Sequence, residues 1–247
     1  MKDWIEGVVT DNIHWTEFLF SLRIEADVAP FKAGQFTSLA LDIGGERIAR
    51  PYSYLSSPGQ QPVEFFFYAA TGGVLSNALI KLQAGDRVWL KEHANGFFTL
   101  DEVPDARDLW LLGTGTGVAP FYSIARTPEP WQRFENVILV NAVRNGEDLQ
   151  YLDLIDELRE THGDRFRFQA FVSREKVPGT LSGRIPSALA DRSLETAVGL
   201  ELTPEQSQIM LCGNPGMVAD SIELLKQRGF RKNRRRTPGH LTTENYW

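Results

Sequence analysis

The chain has 247 residues, of which 42% are hydrophobic and 23% charged, and its formal net charge is −6. This length fits two ordinary domains, the balanced composition excludes a disordered or fibrous protein, and the negative charge argues against general nucleic-acid binding. One cysteine, Cys212, and four scattered histidines are too few for an iron–sulfur cluster or a structural zinc, so we expect no metal. No apolar run has the length of a signal peptide or a membrane span, so we expect a cytoplasmic protein that binds neither membranes nor nucleic acid.

The first part of the chain, up to about Leu100, alternates between apolar and polar residues as antiparallel strands do. The stretches QFTSLALDI, VEFFFYAA and GDRVWLKE are short and rich in residues that favour strands. One helical stretch, SNALIKL, interrupts them, with Ser76 as its expected N-cap. In TEFLFSLRIEAD, four apolar residues are expected to share one face: Phe18, Phe20, Leu22 and Ile24. We predict a small antiparallel β-barrel domain for residues 1–100.

The second part, residues 101–247, has short continuous apolar runs separated by helical stretches. The expected strands are LWLL, VILVNAVR, FRFQAFVSR and QIMLCGNPG, and the expected helices include LQYLDLIDELRET and MVADSIELLKQRG. Continuous apolar strands that alternate with helices indicate a parallel sheet covered on both faces. We therefore predict an α/β parallel-sheet domain, and place the boundary between Leu100 and Asp108, where Pro and charged residues cluster.

Three of these predicted strands are followed by residues that suit a phosphate ligand. A glycine-rich loop, Gly113 to Pro120, follows the first, and the second and third end at Arg144 and Arg174. The carboxyl ends of parallel strands share one edge of a sheet, where ligands of open α/β sheets bind. Glycines let backbone N–H groups approach a phosphate. The loop GTGTGVAP matches neither standard phosphate-binding pattern, however, and is also compatible with a tight structural turn.

The arginines indicate which dinucleotide would bind. Sites for NAD usually carry an acidic residue for the ribose, whereas arginine accommodates the 2′-phosphate of NADP. Arg144 and Arg174, with Ser173 beside the latter and Arg184 nearby in SGRIP, can form charge-assisted hydrogen bonds to such a phosphate. Each arginine alone is also compatible with an ordinary surface charge, but together they favour NADP.

Two further motifs stand out. In RPYSYLSSPG, the residues Arg50, Tyr52 and Ser53 bring a guanidinium, a ring and a hydroxyl together, which suits a planar heterocycle attached to phosphates. The same stretch is compatible with an edge strand that carries a packed tyrosine. The block RKNRRR, from Arg231 to Arg236, is either a solvated basic surface or a site that attracts an acidic partner.

With these residues in place, the entire chain resembles the ferredoxin–NADP reductase family, and most closely its bacterial ferredoxin/flavodoxin type. RPYS is similar to the first flavin motif of the family, and GGVLSNAL to its flavin-phosphate segment. GTGTGVAPF is similar to its nicotinamide-side loop, and LCGNPGMV to its C-G-x-x-x-M segment. The resemblance implies FAD and NADP(H) as cofactors. It also implies an FAD-binding barrel followed by an NADP-binding domain whose C-terminal tail returns to the flavin.

For FAD, the resemblance implies that Arg50 neutralises the pyrophosphate, that Tyr52 stacks on the flavin and that Ser53 bonds near flavin N5. Phe66 would lie in the strand beside the flavin, and Thr116 would approach flavin and nicotinamide. The residues implied to bind FAD are Arg50, Pro51, Tyr52, Ser53, Phe66, Val74, Leu75, Ser76, Thr116, Tyr246 and Trp247.

For NADP(H), the implied residues are Val143, Arg144, Ser173, Arg174, Arg184, Asn214, Pro215, Gly216 and Asp220. The implied catalytic residues are Ser53, Cys212 and Glu244. Cys212 would lie near the reacting nicotinamide carbon, although it is equally compatible with a small buried residue at a strand end. Glu244 would orient Ser53 or relay a proton.

The aromatic end of the chain departs from the plant-type pattern, because those members stop at the tyrosine that corresponds to Tyr246, whereas Trp247 follows here. We infer that Tyr246 covers the flavin face opposite Tyr52 and gates access of the nicotinamide, and that Trp247 stacks elsewhere, for example on the FAD adenine. Which ring takes which face is left open.

We therefore expect a monomeric FAD-dependent oxidoreductase that moves hydride between NADPH and flavin N5 and exchanges single electrons with ferredoxin or flavodoxin. RKNRRR and the arginines near the cofactors would attract such an acidic carrier. Two alternatives stay open at this point. One is a reductase on the same scaffold that serves an oxygenase, a haem protein or a ferric chelate, and the other is a non-catalytic flavoprotein subunit or sensor.

Overall fold

The structure is a computed structural model, and it describes residues 3–69, 71–234 and 236–245. The strands of its first sheet are β1 (Trp4–His14), β2 (Leu19–Glu25), β3 (Phe36–Ile43), β4 (Glu46–Ser53), β5 (Val63–Tyr68) and β6 (Arg87–Lys91). They pair antiparallel in the order β4-β3-β6-β1-β2-β5. Tyr54, directly after β4, forms a bridge to Phe65 in β5, so the two edge strands meet and the sheet curls into a barrel. The predicted antiparallel barrel is confirmed.

Strand β2 is buried on both faces, which its alternating sequence does not indicate. Phe20, Leu22 and Ile24 fill the inside of the barrel as predicted, but Ser21 is also fully buried. Phe18 is a wrong prediction, because 40% of its surface is exposed and its ring stacks on Tyr68. The strand begins only at Leu19, so Phe18 belongs to the preceding turn.

The helix of the first domain, α1 (Val74–Leu79), begins earlier than predicted. Its N-cap is Gly73, which follows a turn through Gly72 with a φ of +77°. Ser76 is therefore a buried residue within the first turn, and its prediction as N-cap is wrong. The glycine pair lets the chain enter the helix two residues before the serine.

The second sheet contains β7 (Asp108–Thr114), β8 (Asn136–Val143), β9 (Phe166–Val172), β10 (Leu181–Ser182), β11 (Ser207–Gly213) and β12 (Leu241–Asn245). All neighbours pair parallel, in the order β10-β9-β8-β7-β11-β12. The connecting helices are α2 (Ala119–Ala125), α3 (Glu129–Arg133), α4 (Leu152–His162), α5 (Ile185–Ala190), α6 (Ser193–Val198) and α7 (Pro215–Gln227). Single 3₁₀ turns occupy Leu100–Glu102, Gly115–Val118, Gly146–Asp148 and Gly163–Arg165. The predicted parallel α/β domain is confirmed.

The central strands of this sheet are apolar throughout because both of their faces are covered. On one face Leu109 and Leu111 pack with α2 and α4, and this core continues into the barrel through Leu19, Leu55 and Phe66. On the other face Trp110 packs with α5, α6 and α7. The two domains therefore share a continuous apolar core.

The first sheet ends at Lys91 and the second begins at Asp108. The boundary predicted at residue 100 lies in the connection between them and stays a prediction. Among the helices within the described ranges, none is both long and apolar enough to span a bilayer.

Candidate active site

The carboxyl ends of the parallel strands bring several predicted site residues to one edge of the second sheet. Cys212 in β11 pairs with Gly113 in β7 on one side and with Glu244 in β12 on the other. The chain builds outward from β7 to β10 and then returns beside β7 as β11, so the topology switches direction between these two strands. Ligands of open α/β sheets bind at such a switch point.

The three glycines of the predicted phosphate loop have different roles. A Cβ atom on Gly117 would lie 2.6 Å from the Cα of Gly213, and one on Gly113 would lie 3.2 Å from the Cα of Val118. These two glycines therefore permit close backbone packing. Gly115 has a φ of +53°, and a Cβ there would meet nothing within 4 Å. Of the three, Gly115 alone borders open space for a ligand.

A threonine that the sequence did not single out holds this loop to the next strand end. Thr114 Oγ1 accepts a hydrogen bond of 2.8 Å from the backbone N–H of Asn214. Gly213 has a φ of +123° and leaves no room for a side chain against Thr114. Asn214 Oδ1 in turn accepts from Met217 N at 3.1 Å and caps α7. No local pattern could indicate the first bond, because Thr114 and Asn214 are 100 residues apart.

The three predicted arginines follow three adjacent strands. Arg174 N donates to Arg144 O at 2.9 Å, which extends the ladder between β8 and β9 beyond its regular end. Arg184 follows β10 by two residues and is the N-cap residue of α5. All three side chains are exposed, and none of their guanidinium groups has a hydrogen-bond or ion-pair partner within the described ranges. The arrangement forms a basic edge that can bind a phosphate.

The other predicted nucleotide residues lie on the two sides of the switch point. Val143 O accepts hydrogen bonds from Ser173 N at 3.1 Å and from Ser173 Oγ at 3.3 Å, beside the arginines. Four residues lie across the switch point at the start of α7, where all but the half-buried proline are exposed: Asn214, Pro215, Gly216 and Asp220.

On the barrel, Arg50 and Tyr52 lie on one face of β4 because they are alternate residues of a strand. Arg50 is exposed, and its Nη1 donates to Ala49 O at 2.7 Å. The ring of Tyr52 is half-buried and edge-on to Phe67 at 5.5 Å. Burial raises the pKa of Tyr52 to about 12, and the charge of Arg50 opposes this shift. Tyr52 is therefore a neutral ring at physiological pH.

The remaining residues predicted for FAD differ in accessibility. Pro51 is exposed, whereas Ser53 is buried. On α1, Val74 is 59% exposed while Leu75 and Ser76 are buried, and no side chain caps the helix. Phe66 and Thr116 are buried. Only some of the residues predicted to bind FAD therefore have side chains that a ligand can reach from solvent.

The start of β3 and the end of β12 lie on either side of Gly96, where the two domains meet. Ser53 pairs with Phe36 of β3. A Cβ on Gly96 would lie 3.1 Å from the Phe36 ring and 3.8 Å from Glu244 Oε1, so Gly96 separates the two. Within the described residues, no hydrogen bond joins Ser53 to Glu244. A cleft of about 370 Å³ adjoins this junction, and its lining includes Gly96, Phe97, Arg234 and Glu244.

The carboxyl group of Glu244, at this junction, has a shifted pKa. Burial raises the pKa of its carboxyl to about 7. Its Oε2 atom is buried and has no hydrogen-bond partner in the described part of the chain. The side chain can therefore gain or lose a proton near neutral pH. Cys212, beside it in register, is completely buried.

Tyr246 and Trp247, the two rings predicted to cover the cofactor, lie outside the described residues. Their predicted roles as a gate and an adenine platform stay predictions.

Comparison with known families divides the chain as the two sheets do. Residues 8–96 match the family described as "Oxidoreductase FAD-binding domain". Residues 111–222 match the family described as "Oxidoreductase NAD-binding domain".

Several relatives are similar over the full length of the chain. The flavodoxin/ferredoxin–NADP reductases of Shigella flexneri and Escherichia coli (strain K12) are 48% and 47% identical, with 100% of each chain covered. Among solved structures, a ferredoxin NADP⁺ reductase from Neisseria gonorrhoeae with bound FAD and NADP superimposes with a TM-score of 0.93. It is 36% identical, with 99% of each chain covered.

Proposed function

The chain belongs to the flavodoxin/ferredoxin–NADP reductase family, and on this basis we propose that it transfers electrons between NADPH and ferredoxin or flavodoxin through bound FAD. The observation that carries the proposal is the basic edge beside the switch point, where Arg144, Arg174 and Arg184 follow adjacent strands. The switch point lies next to the junction where Gly96 packs between the Phe36 ring and Glu244, and Phe36 pairs with Ser53.

The donor set of the basic edge fits the 2′-phosphate of NADP. The three guanidinium groups lack partners among the described residues, and each offers N–H donors in a fixed planar geometry. A doubly charged phosphate can accept hydrogen bonds from all three groups. Gly115 leaves open space at the switch point, and the start of α7 lies across it. We assign Val143, Ser173, Asn214, Pro215, Gly216 and Asp220 to the lining of the same nucleotide.

The barrel residues fit a flavin with its pyrophosphate. Arg50 presents an exposed charge, and Tyr52 on the same face presents a neutral ring that can stack on a planar heterocycle. The uncapped start of α1, at Val74, Leu75 and Ser76, can donate N–H groups to phosphate oxygens. FAD held by these residues would supply the redox chemistry, namely exchange of a hydride with NADPH and of single electrons with the carrier. Pro51, Phe66 and Thr116 would complete this site, with Tyr246 and Trp247.

At the junction the protein offers a carboxyl group that can handle a proton. Glu244, with a pKa of about 7, can hold or release a proton at Oε2. Its unpartnered oxygen suits a polar neighbour that a bound cofactor would provide. Ser53 supplies a buried hydroxyl, and the buried Cys212 shapes the floor of the site between Gly113 and Glu244.

The basic segment, defined as residues 231–236, favours an acidic carrier. Arg231, Lys232, Arg234 and Arg236 are all exposed, and none forms an ion pair with a residue that the structure describes. The chain as a whole carries −6, so this local reversal of sign can steer an acidic protein toward one face. Arg234 also borders the cleft at the domain junction.

We further propose that the protein works as a cytoplasmic monomer with an FAD-binding domain at residues 1–100. The NADP-binding domain would comprise residues 101–247 and end in a tail that returns to the flavin. The basic edge argues against a non-catalytic flavoprotein subunit, because such a subunit has no need of a 2′-phosphate site. Whether a different acceptor is served is decided by the following experiment.

The experiment follows the flavin absorbance in a stopped-flow instrument after the FAD-loaded protein is mixed with NADPH, and then with ferredoxin or flavodoxin. We expect rapid bleaching by NADPH, slow bleaching by NADH, and recovery when either carrier is added. The rate of carrier reduction should fall with ionic strength, since exposed charges are screened. If NADPH leaves the flavin oxidised, the proposed function is wrong.

Two double variants test whether the basic segment itself attracts the carrier, or whether any loss of positive charge slows carrier reduction. Removing Arg231 and Arg234 together, by Arg231→Ala and Arg234→Ala, should slow carrier reduction at low salt and leave bleaching by NADPH unchanged. The matched control removes Arg159 and Lys226, which lie in surface ion pairs with Asp156 and Glu223. Equal effects of the two pairs would exclude the basic segment from carrier binding.

A further inference from the structure

A buried polar chain crosses from the barrel to the second domain. The hydroxyl of Tyr151, at the start of α4, lies 2.5 Å from Ser21 Oγ and 2.8 Å from Glu64 Oε1. Ser21 Oγ also accepts from Trp15 Nε1 at 2.7 Å, and Arg23 Nε lies 3.3 Å from Glu64 Oε2. Ser21 and Glu64 are buried, so water cannot satisfy their polar atoms and these hydrogen bonds do so instead.

The chemistry of the groups sets the direction of the hydrogen bonds. The carboxylate of Glu64 can only accept, so Tyr151 donates to it. The indole of Trp15 can only donate, so Ser21 accepts from it and gives its own proton to the oxygen of Tyr151. Burial, and then the charge of Glu64, raise the pKa of Tyr151, so its hydroxyl keeps the proton that this order requires. The side chains of this network are thus satisfied, and Tyr151 is the member that reaches it from the second domain; Ser123 Oγ separately donates to Ser56 O across the same boundary at 2.8 Å.

Tyr151 is held in an unusual conformation to make this link. Its backbone has φ 64° and ψ 31°, and among the described residues it shares a positive φ outside glycine with Arg192 alone. Such strain persists where surrounding contacts over-determine the position. Here the ring packs on Trp15 at 5.4 Å, on Phe66 at 5.2 Å and on Tyr122 at 5.5 Å.

The link connects the two halves of the proposed active site. Residues 144–150 join the end of β8 to Tyr151, so the loop that begins with Arg144 is fastened at its far end to the barrel. On the barrel side, Glu64 and Phe66 are alternate residues of β5, the strand assigned above to the side of the flavin. A shift of Tyr151 would therefore move the loop of Arg144 relative to β5.

We propose that Tyr151 is a positioning residue that aligns the nucleotide-binding edge with the flavin-binding barrel through its hydrogen bonds to Ser21 and Glu64. This inference rests on the proposed function, since it concerns the alignment of the two cofactors. It predicts that the hydroxyl of Tyr151 matters for the transfer step more than for the affinity of the nucleotide.

The test compares Tyr151→Phe with the wild type, both loaded with FAD. Hydrogen–deuterium exchange of the peptide that contains residues 144–150 should become faster in the variant, a readout that does not require turnover. In single-turnover stopped flow, hydride transfer from NADPH should be about ten-fold slower with NADPH affinity changed less than about two-fold, because ångström-scale misplacement can cost about a hundred-fold in rate.

Two further variants distinguish positioning from simple loss of stability. Tyr122→Phe removes a hydroxyl from the adjacent buried ring, whose bond to Gln150 O stays within the second domain. Because Gln150 belongs to the exchanging peptide, this variant is compared on hydride transfer alone, where its effect should be smaller. Glu64→Gln keeps an acceptor for Tyr151 and should retain most of the transfer rate.

If Tyr151→Phe leaves both loop exchange and hydride transfer at wild-type values, or if Tyr122→Phe slows hydride transfer equally, the inference is overturned. A wild-type protein that NADPH cannot reduce would instead overturn the proposed function on which the inference rests.

Discussion

Replacing Arg174 by alanine should weaken the binding of NADP⁺ and leave the binding of NAD⁺ unchanged. The side chain is exposed and has no ion-pair partner among the described residues, so its truncation removes no internal contact. The backbone bond from Arg174 N to Arg144 O, at 2.9 Å, is retained in the variant. The free energy of unfolding should therefore change by less than about 0.5 kcal/mol, as for other surface substitutions.

The loss of affinity follows from the hydrogen bonds that the guanidinium would make to the 2′-phosphate. A hydrogen bond to a charged group contributes about 2 kcal/mol. Since every ~1.4 kcal/mol is a factor of ten, the dissociation constant of NADP⁺ should rise roughly 30-fold. NAD⁺ lacks the phosphate, so its constant should stay within about two-fold, and Arg174→Lys should fall between the two because it keeps the charge without the planar fork.

Isothermal titration calorimetry of the FAD-loaded protein with NADP⁺ and NAD⁺ measures both constants directly. The matched control is Lys176→Ala, which removes one exposed positive charge from the same loop two residues away. It should change the affinity for NADP⁺ far less than Arg174→Ala does. Equal losses for NADP⁺ and NAD⁺, or no loss for either, would refute the assignment of the basic edge to the 2′-phosphate.

Two further predictions concern the ends of β7, β11 and β12. Because burial raises the pKa of Glu244 from 4.5 to about 7, the folded protein binds a proton that the unfolded chain releases in this window, so stability should fall as the pH rises through it. Glu244→Gln should abolish this pH dependence, and urea unfolding at pH 8 should show the variant to be more stable than the wild type by as much as ~3 kcal/mol. If the unfolding free energies of the two proteins change with pH in parallel, the assignment is wrong. Gly117→Ala should destabilise by about 2 kcal/mol or more, because its Cβ would lie 2.6 Å from Gly213 Cα. Gly115→Ala, whose Cβ has open space, should cost only about 1 kcal/mol for its left-handed backbone, and equal losses in thermal unfolding would refute this packing argument.

The architecture of both domains could be predicted from the sequence because it is encoded in local periodicity. Alternation predicts strands with one face inside a barrel, and continuous apolar runs between helices predict a parallel sheet. The same logic placed Arg144 and Arg174 at one edge, since residues that directly follow parallel strands must gather there. The type of residue at these positions then indicated the class of ligand.

Local periodicity was less reliable where a second domain or a preceding turn intervened. Ser21 is buried, although it is polar and faces away from the barrel core, because the second domain covers that face of β2. Phe18 was assigned to the same face as Phe20, Leu22 and Ile24 because it continues the alternation, yet the strand begins after it. Ser76 was assigned as a cap because serine favours that role, but two preceding glycines allow the helix to begin earlier.

By itself, the sequence determined the order and type of the two domains and the chemistry gathered at the strand ends. Only the tertiary structure decided which glycines pack and which borders open space, that Thr114 holds the start of α7, and that Tyr151 reaches Glu64 across 87 residues. The physical reason is the range of the interactions. Helix and strand periods depend on neighbours a few residues apart, whereas these contacts depend on how segments distant in the sequence pack against each other.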